Sequence, residues 1–445
     1  MHSLLQVQAC APRLYVARLA AADYSIGTNW LEGALMVWLA FIPLSPYLLW
    51  LLWAAVRHPI PLSYNWRSLW QRKASTLSTL GAVAIVVMIF VVVLSMAQGV
   101  SKAYVKSGRD DQIIIMRQNS RVEMMSVLDR DQARLIKTHP LIARDEQGPL
   151  VTTDVIVSKQ LPLRDGSGSL SVAVRGTTPA GIRLRSQVRL LQGRWFLSGL
   201  SEIAVPRAML ERYAGMQLGH SIYMQNREWR LVGVFDGGGS AFDSEVWTDV
   251  EDLMQAFHRN TAYSVAVARL RSKEVAPTFI ADMAGDVRLK LEAKAEPVYF
   301  AELGNAGRPM QILGQIITVI LTIGAIFAAM NTMYATVASR TSEIGTLRAI
   351  GYRRREILAC FQWEAILLTV LGGGLGAALS LLFNGTRTGT VNMNTWSDVS
   401  YAFAVSPSLM AQGVGFSVIM GIVGGFLPAW KASRMPVTEA MHGSG

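Results

Sequence analysis

The chain is poor in the residue types that soluble enzymes rely on. Only 16 % of its 445 residues are charged, where a soluble protein carries about 25 %. It has two cysteines, Cys10 and Cys360, and neither lies in the polar middle of the chain, so no disulfide holds that part together. Cys10 follows no apolar run and no cationic start, and reads as an ordinary thiol. His139, His220 and His258 are the only histidines of the polar middle, and their wide spacing speaks against a metal site. No Ser/His/Asp set or carboxylate pair stands out; Asp110–Asp111 and Asp243/Glu245 read as solvated turn residues. There is no GxxxxGK[ST] loop and no LSGGQ-like tract, which excludes ATP binding of the usual kind by these residues. Phe235–Ser240 (FDGGGS) has a phosphate loop's glycines without its Lys-Ser/Thr, and reads as a mobile surface loop. The first 30 residues lack the apolar core of a cleavable signal peptide.

What the chain has is long apolar runs. Mean hydropathy is +0.30. Leu77–Ala97, Gln311–Val337, Leu358–Phe383 and Leu409–Trp430 each reach the roughly 20 residues that cross a bilayer as a helix. A further run, Gly33–Val56, carries Trp38, Trp50 and Trp53 at interface-like positions and prolines at 43 and 46. It reads as an extra N-terminal transmembrane helix with the N-terminus outside; the alternative is a bent hairpin or interfacial helix with the N-terminus inside.

The sequence pI near 9.8 does not point to nucleic acid, because the cations sit at membrane borders. Arg72 and Lys73 precede the first core run, Arg353, Arg354 and Arg355 the third, and Lys431 and Arg434 follow the fourth. These are the expected cytoplasmic anchors. The loop 384–407 has Arg387 as its only cation and is expected outside, which puts residues 100–310 outside too.

Residues 100–310 alternate like a folded mixed domain. Strands are predicted at Asp111–Arg117, Leu150–Val157, Leu170–Gly176, Ser221–Gln225, Trp229–Phe235 and Tyr263–Leu270. A helix capped by Asp129 should run to Thr138, with others at Pro206–Tyr213, Thr248–His258 and Ala276–Ala284. The fold class is thus an α-helical membrane protein, with four core helices and an extra N-terminal one, carrying a large two-lobed α+β extracytoplasmic domain.

Arg340–Gly351, between the second and third core runs, reads as a short amphipathic helix. Thr341 or Ser342 can cap it, and Glu343 suits its N-terminus. Ile344, Leu347 and Ile350 form an apolar edge, which needs a partner protein or the chain's own membrane helices. Gly345 and Gly351 permit close contact and chain reversal. Glu364 is the main intramembrane acid, and an interfacial hydrogen bond to Arg354 or Arg355 is its milder reading. Gly372–Gly376 and Gly421–Gly425 offer faces for close helix packing.

Six tracts carry a resemblance. VASRTSEIGTLRAIGYRRREILACFQWEAILLTVLGGGLG and the closing LPAWKASRMPVTEAM resemble the membrane domain of type VII ABC transporter permeases, the family of the MacB, FtsX and lipoprotein-releasing permeases. NWRSLWQRK (Asn65–Lys73) resembles the basic lead-in to that family's first helix, and GRWF (Gly193–Phe196), SEIAVPRAM (Ser201–Met209) and Trp229–Asp236 resemble its extracytoplasmic core domain. The resemblance covers residues 62–443. It implies an amphipathic entry and first core helix over 62–99, a MacB-like core domain over 100–310 and an FtsX-like membrane domain over 311–445; the extension 1–61, with its extra run at 33–56, is a departure from the family pattern. It also implies that Ser342, Glu343, Ile344, Gly345, Thr346, Leu347, Arg348, Ala349, Ile350 and Gly351 form a coupling helix that docks on an ATP-binding subunit. Such a chain is no enzyme and holds no metal or cofactor; ATP and Mg belong to a separate cytoplasmic ATPase. A homodimer in the bacterial inner membrane, with a periplasmic adaptor and an outer-membrane protein, is the expected assembly. Its expected task is to transmit ATP-driven motion for export or extraction of a substrate; the alternative is a scaffold that activates a cell-wall hydrolase.

Overall fold

The computed structural model describes residues 45–436 apart from 52, 55–72, 260, 287–288, 305–307 and 393–394. These residues fall into two compact units. A sheet unit comprises 98–308 and 387–402, and a helical unit the rest.

The sheet unit is built on ten strands: β1 (Gln112–Arg117), β2 (Val151–Pro162), β3 (Ser169–Thr177), β4 (Arg189–Gly193), β5 (Glu202–Pro206), β6 (Ser221–Met224), β7 (Arg227–Asp236), β8 (Glu245–Asp249), β9 (Val265–Arg269) and β10 (Leu291–Ala295). The order is β10-β1-β9-β2-β3-β8-β5-β7-β4, with β6 beside β7. The β3–β8 and β7–β5 pairs are parallel and the others antiparallel. The long strand β2 pairs with β9 through Val151–Asp154 and with β3 through Val155–Pro162, so one strand serves both halves of the sheet.

Side chains of a strand alternate between faces, and here both faces are buried. Ile113, Ile115, Val155, Val157, Val172 and Val174 fill one core, while Ile114, Met116, Ile156 and Ala173 fill the other. That double burial explains the unbroken apolar run in DQIIIMR. The helix predicted after Asp129 is present at Arg130–Thr138. The Asp129 carboxylate accepts the Gln132 N–H at 2.8 Å and the Gln132 side chain accepts the Asp129 N–H at 2.9 Å, a reciprocal cap.

The second core contains a charge cluster that sequence reading missed. Arg175, 2 % exposed, donates to Glu245 at 2.6 Å and Glu123 at 2.8 Å, and pairs with Asp154 at 3.2 Å. Arg185 pairs with the same Asp154 at 2.5 Å and lies over the Phe242 and Trp247 rings. Burial pushes the Asp154 carboxyl up, but Arg185 and Arg175 outweigh it and hold the group below its ordinary value. Glu245 is therefore not a solvated turn residue: it closes this cluster. Asp243 is not one either. It is 5 % exposed and accepts the N–H groups of Gly237 at 2.7 Å and Gly239 at 2.9 Å. The FDGGGS segment is consequently a turn folded around the chain's own carboxylate, with Ser240 buried, and not a loose loop.

Glu296 lies buried near this cluster and accepts the Arg109 N–H at 3.1 Å. Burial is the main cause that raises its pKa to about 8. A carboxyl whose folded pKa lies above its unfolded value of 4.5 binds more protons in the native state, so its burial costs increasing stability as pH rises from 4.5 to about 8. Glu296→Gln is expected to stabilise the chain by on the order of 3 kcal/mol near neutral pH. Thermal unfolding in detergent at pH 6 and pH 9 checks this: the wild type should lose stability across that interval and the variant should lose less. Equal losses would contradict it.

The helical unit contains α1 (Lys73–Val105, whose last turns from Gln98 belong to the sheet unit), α2 (Arg308–Ala338), α3 (Thr341–Ile350), α4 (Arg354–Ser380) and α5 (Pro407–Arg434). Among the described residues four helices are long and apolar enough to cross a membrane, at Thr76–Val105, Ile316–Ala338, Arg354–Phe383 and Pro407–Arg434. Of the Gly33–Val56 run, residues 45–51 and 53–54 are helical. Leu51 and Ala54 pack with Ala359, Ile366 and Ile422, and the Trp363 indole donates to the Leu51 carbonyl at 3.3 Å. The rest of that run, Cys10, the lead-in Asn65–Arg72 with the anchor Arg72, and the tail beyond Pro436 lie outside the described residues.

Candidate functional site

The connector between α2 and α4 is helical, as its spacing predicts, but its anchoring differs from the prediction. Neither Thr341 nor Ser342 caps α3. The N-cap is Arg340, which makes no side-chain capping bond. Its N–H donates back to Val337 at 3.2 Å and its carbonyl accepts the Ile344 N–H at 2.9 Å. The Arg340 N–H thus closes a turn onto the end of α2, and its carbonyl accepts the first bond of α3.

Arg340 is itself only 5 % exposed and donates to the Glu364 carboxylate of α4 at 3.0 Å. It also pairs with Glu343 at 3.5 Å. This corrects the expected partners of Glu364: Arg354 and Arg355 are exposed, and the buried pair joins the start of α3 to the interior of α4. The desolvation that makes an intramembrane acid costly is opposed by this pairing. The signal was present in the sequence as an arginine directly after an apolar span, but a separation of 24 residues hid it.

The apolar edge of α3 divides. Ile344, 1 % exposed, packs with Met333, Val337, Ile357, Phe361, Ala365, Ala429 and Ala432. Gly345 is buried, and Leu347 and Arg348 are half-buried. Ile350 is 72 % exposed. Ser342, Glu343, Thr346, Ala349, Ile350 and Gly351 remain uncovered. The gap beneath α3, lined by Ile344, Leu347, Ile357 and Phe361, measures about 10 Å³, too small for any ligand beyond water. Gly351 ends the helix at φ +111°, a conformation that other residues resist, and the Tyr352 N–H returns to the Leu347 carbonyl at 3.1 Å. The anchors Lys73, Arg353, Lys431 and Arg434 are exposed. Glu356 accepts the Arg353 N–H at 2.8 Å where α4 begins.

Behind this connector the glycine runs bring helices together. Gly376 lies against the Ala84 backbone of α1, and Gly421 lies against Thr369 and Ile366 of α4. The Gln362 amide donates to the carbonyls of Gly421 at 3.0 Å and Ile422 at 3.2 Å. A Cβ at Gly376 would collide with a main-chain carbonyl that cannot swing aside, whereas one at Gly374 meets nothing within 4 Å. Gly376→Ala is therefore expected to cost about 1–3 kcal/mol, and Gly374→Ala almost nothing. Thermal unfolding of the two variants side by side checks this; equal stabilities would contradict the packing.

No group of three or more His, Cys, Asp or Glu residues capable of holding a metal occurs among the described residues. The arrangement offers an anchored short helix with one uncovered side. Its chemistry suits the docking of another protein.

Comparison with known proteins gives two family matches. The MacB-like periplasmic core domain matches residues 76–285, and the FtsX-like permease C-terminal domain matches residues 315–437. A macrolide export ATP-binding/permease protein MacB of Shewanella sp. (strain W3-18-1) is 26 % identical over 303 residues, 64 % of this chain and 45 % of that protein. A pyoverdine export ATP-binding/permease protein PvdT of Pseudomonas entomophila is 26 % identical over 412 residues, 85 % of this chain and 59 % of that protein. The chain thus spans about half the length of the curated relatives it matches. The crystal structure of the periplasmic region of MacB from Actinobacillus actinomycetemcomitans aligns with TM-score 0.34 and 13 % identity, over 43 % of this chain and 92 % of that one.

Proposed function

This chain belongs to the family of ABC-transporter permeases that combine a MacB-like periplasmic core domain with an FtsX-like membrane domain, and from that premise we propose that it transmits motion from an ATP-hydrolysing partner to its extracytoplasmic domain. The observation that carries the reading is the divided surface of α3. Ile344 and the Arg340–Glu364 pair fix the helix to α4, while Glu343, Thr346 and Ile350 stay uncovered. A helix built this way passes force: a push on its outer side acts on α4 through a buried ion pair and a packed core, which have discrete arrangements and do not deform continuously.

ATP and Mg are bound by the partner in this reading, and the exposed cations Arg353, Arg354, Arg355, Lys431 and Arg434 mark the cytoplasmic side of a bacterial inner membrane. The substrate is handled outside that membrane by export or extraction, consistent with the macrolide and pyoverdine exporters among the relatives. A periplasmic adaptor and an outer-membrane protein would complete the route. A second copy of the chain is supported by α2. That helix leaves Ile316, Ile320, Ile323 and Phe327 uncovered together with the Asn331 amide, a group that hydrocarbon solvates poorly.

A photo-crosslinking residue placed at Thr346 or Ile350 tests the docking. The expected product joins this chain to an ATP-binding protein identified by mass spectrometry, and the same residue at buried Ile344 gives none. Crosslinks absent at Thr346 and Ile350 would overturn the assignment.

A further inference from the structure

The segment between α4 and α5 was expected to be a plain outer loop. It is a hairpin, β11 (Arg387–Asn392) paired with β12 (Ser397–Ala402), and it folds as part of the sheet unit. Its hold there is polar as well as apolar. Asp398, 3 % exposed, pairs with Arg212 at 2.9 Å and accepts the Tyr213 hydroxyl at 2.8 Å. Burial raises the Asp398 carboxyl, and Arg212 and Tyr213 oppose that rise. The Arg212 guanidinium lies across Gly389, where a Cβ would have no room. The Ser400 N–H donates to the Ser244 hydroxyl, Asn392 donates to the Tyr104 hydroxyl, and Val399 lies in the same core as Phe242 and Trp247.

The connectors have little slack. Only residues 384–386 separate β11 from the helical turn Leu381–Phe383 that follows α4, and only 403–406 separate β12 from α5. They are bonded to each other. The Gly385 N–H donates to Phe403 at 3.0 Å, the Phe403 N–H to Thr386 at 3.1 Å, and the Val405 N–H to the Asn384 side chain at 3.0 Å. Three hydrogen bonds thus join the two connectors beyond the last strand pair, Arg387 with Ala402.

We propose that this hairpin is a second transmission element, clamped to the sheet unit by Asp398, Arg212 and Tyr213 and tied by short bonded connectors to α4 and α5. The inference rests on reading the chain as a transmitter of motion, and it adds a route that begins at α4, the helix to which α3 is anchored. Arg212 and Asp398 are positioning residues in it. A clamped hairpin with stiff connectors passes displacement, whereas one on flexible linkers would absorb it.

Hydrogen exchange on the full chain in lipid nanodiscs tests both parts without ATP. For the clamp, Asp398→Arg and Arg212→Asp should each speed amide exchange in β12 and in the helix Arg207–Arg212 by about tenfold, and the double charge swap should restore most of the protection. For transmission, Gly376→Ala displaces α4 against α1; Gly413→Ala, which crowds Val87 and Val91 from α5, is the second perturbation. Each should alter exchange at Arg207–Arg212. Inserting about six Gly/Ser residues into each connector should abolish that response while β12 stays protected. A response that persists through lengthened connectors, or no response at Arg207–Arg212 when α4 or α5 amides do respond, would overturn the proposal, as would single charge reversals without effect. Because no nucleotide is involved, failure here leaves docking on α3 standing, and failure of docking leaves this result standing.

Discussion

Arg340→Ala is expected to lower the stability of the full chain in detergent by about 3–5 kcal/mol and to abolish coupling. The guanidinium is 5 % exposed and the Glu364 side chain 3 %, so removing the arginine takes a cation at 3.0 Å away from a carboxylate in a poorly solvating interior. The penalty comes mainly from the buried carboxylate that loses this cation, not from the net worth of the pair. That distinction is testable. Arg340→Met with Glu364→Leu removes both charges and should recover most of the lost stability. It should not recover transmission, because α3 then bears on α4 through apolar packing alone, without the directed polar link. Thermal unfolding reads the first effect and stimulated ATP hydrolysis reads the second. An alanine variant as stable as the wild type would show that the pair is not buried as described.

Glu343→Lys has the other large expected effect. Glu343 has a side chain 53 % exposed on the uncovered side of α3. Reversing its charge should weaken docking of the ATP-hydrolysing partner by about tenfold to a hundredfold, or roughly 1.4–2.8 kcal/mol. Because Glu343 also pairs with Arg340, the variant needs a control that avoids this contact. Ile350→Lys lies on the same uncovered side, 72 % exposed, and should give a loss of similar size. Binding of the partner to nanodisc-embedded chain, followed by light scattering or interferometry, measures it. Unchanged binding in both variants would remove α3 from the interface.

Much of the fold was legible because it rests on local rules. The four spans follow from length and hydropathy, and the reciprocal cap at Asp129 follows from Asp-x-x-Gln spacing. Strands with a strong apolar run, such as β1, β2 and β7, were legible too. Those that were missed have weaker patterns. β4 is largely exposed, β5 and β8 are short segments of five residues, and β10 alternates through charged Glu292 and Lys294. Their strand character comes from neighbours far away in the chain. The same reason hid the charge cluster around Arg175, whose partners Glu123, Asp154 and Glu245 come from three separate stretches. In the connector, period-three spacing correctly located an amphipathic helix. It could not tell which of Ile344 and Ile350 faces inward, because that depends on where α4 and α5 pass. The hairpin at 387–402 was illegible as a clamp for the same reason: Asp398 in a polar loop gives no hint of Arg212.

The central claim is that nucleotide hydrolysis felt at α3 rearranges the extracytoplasmic domain. The most direct measurement is amide exchange across residues 98–308 in a reconstituted complex with the ATP-hydrolysing partner, with and without ATP, for the wild type and for the Arg340→Met/Glu364→Leu double variant at partner concentrations that saturate both. ATP should change exchange in the wild-type domain and leave the variant's unchanged. A domain indifferent to ATP in the wild type, or one that responds equally in the variant, would contradict the account.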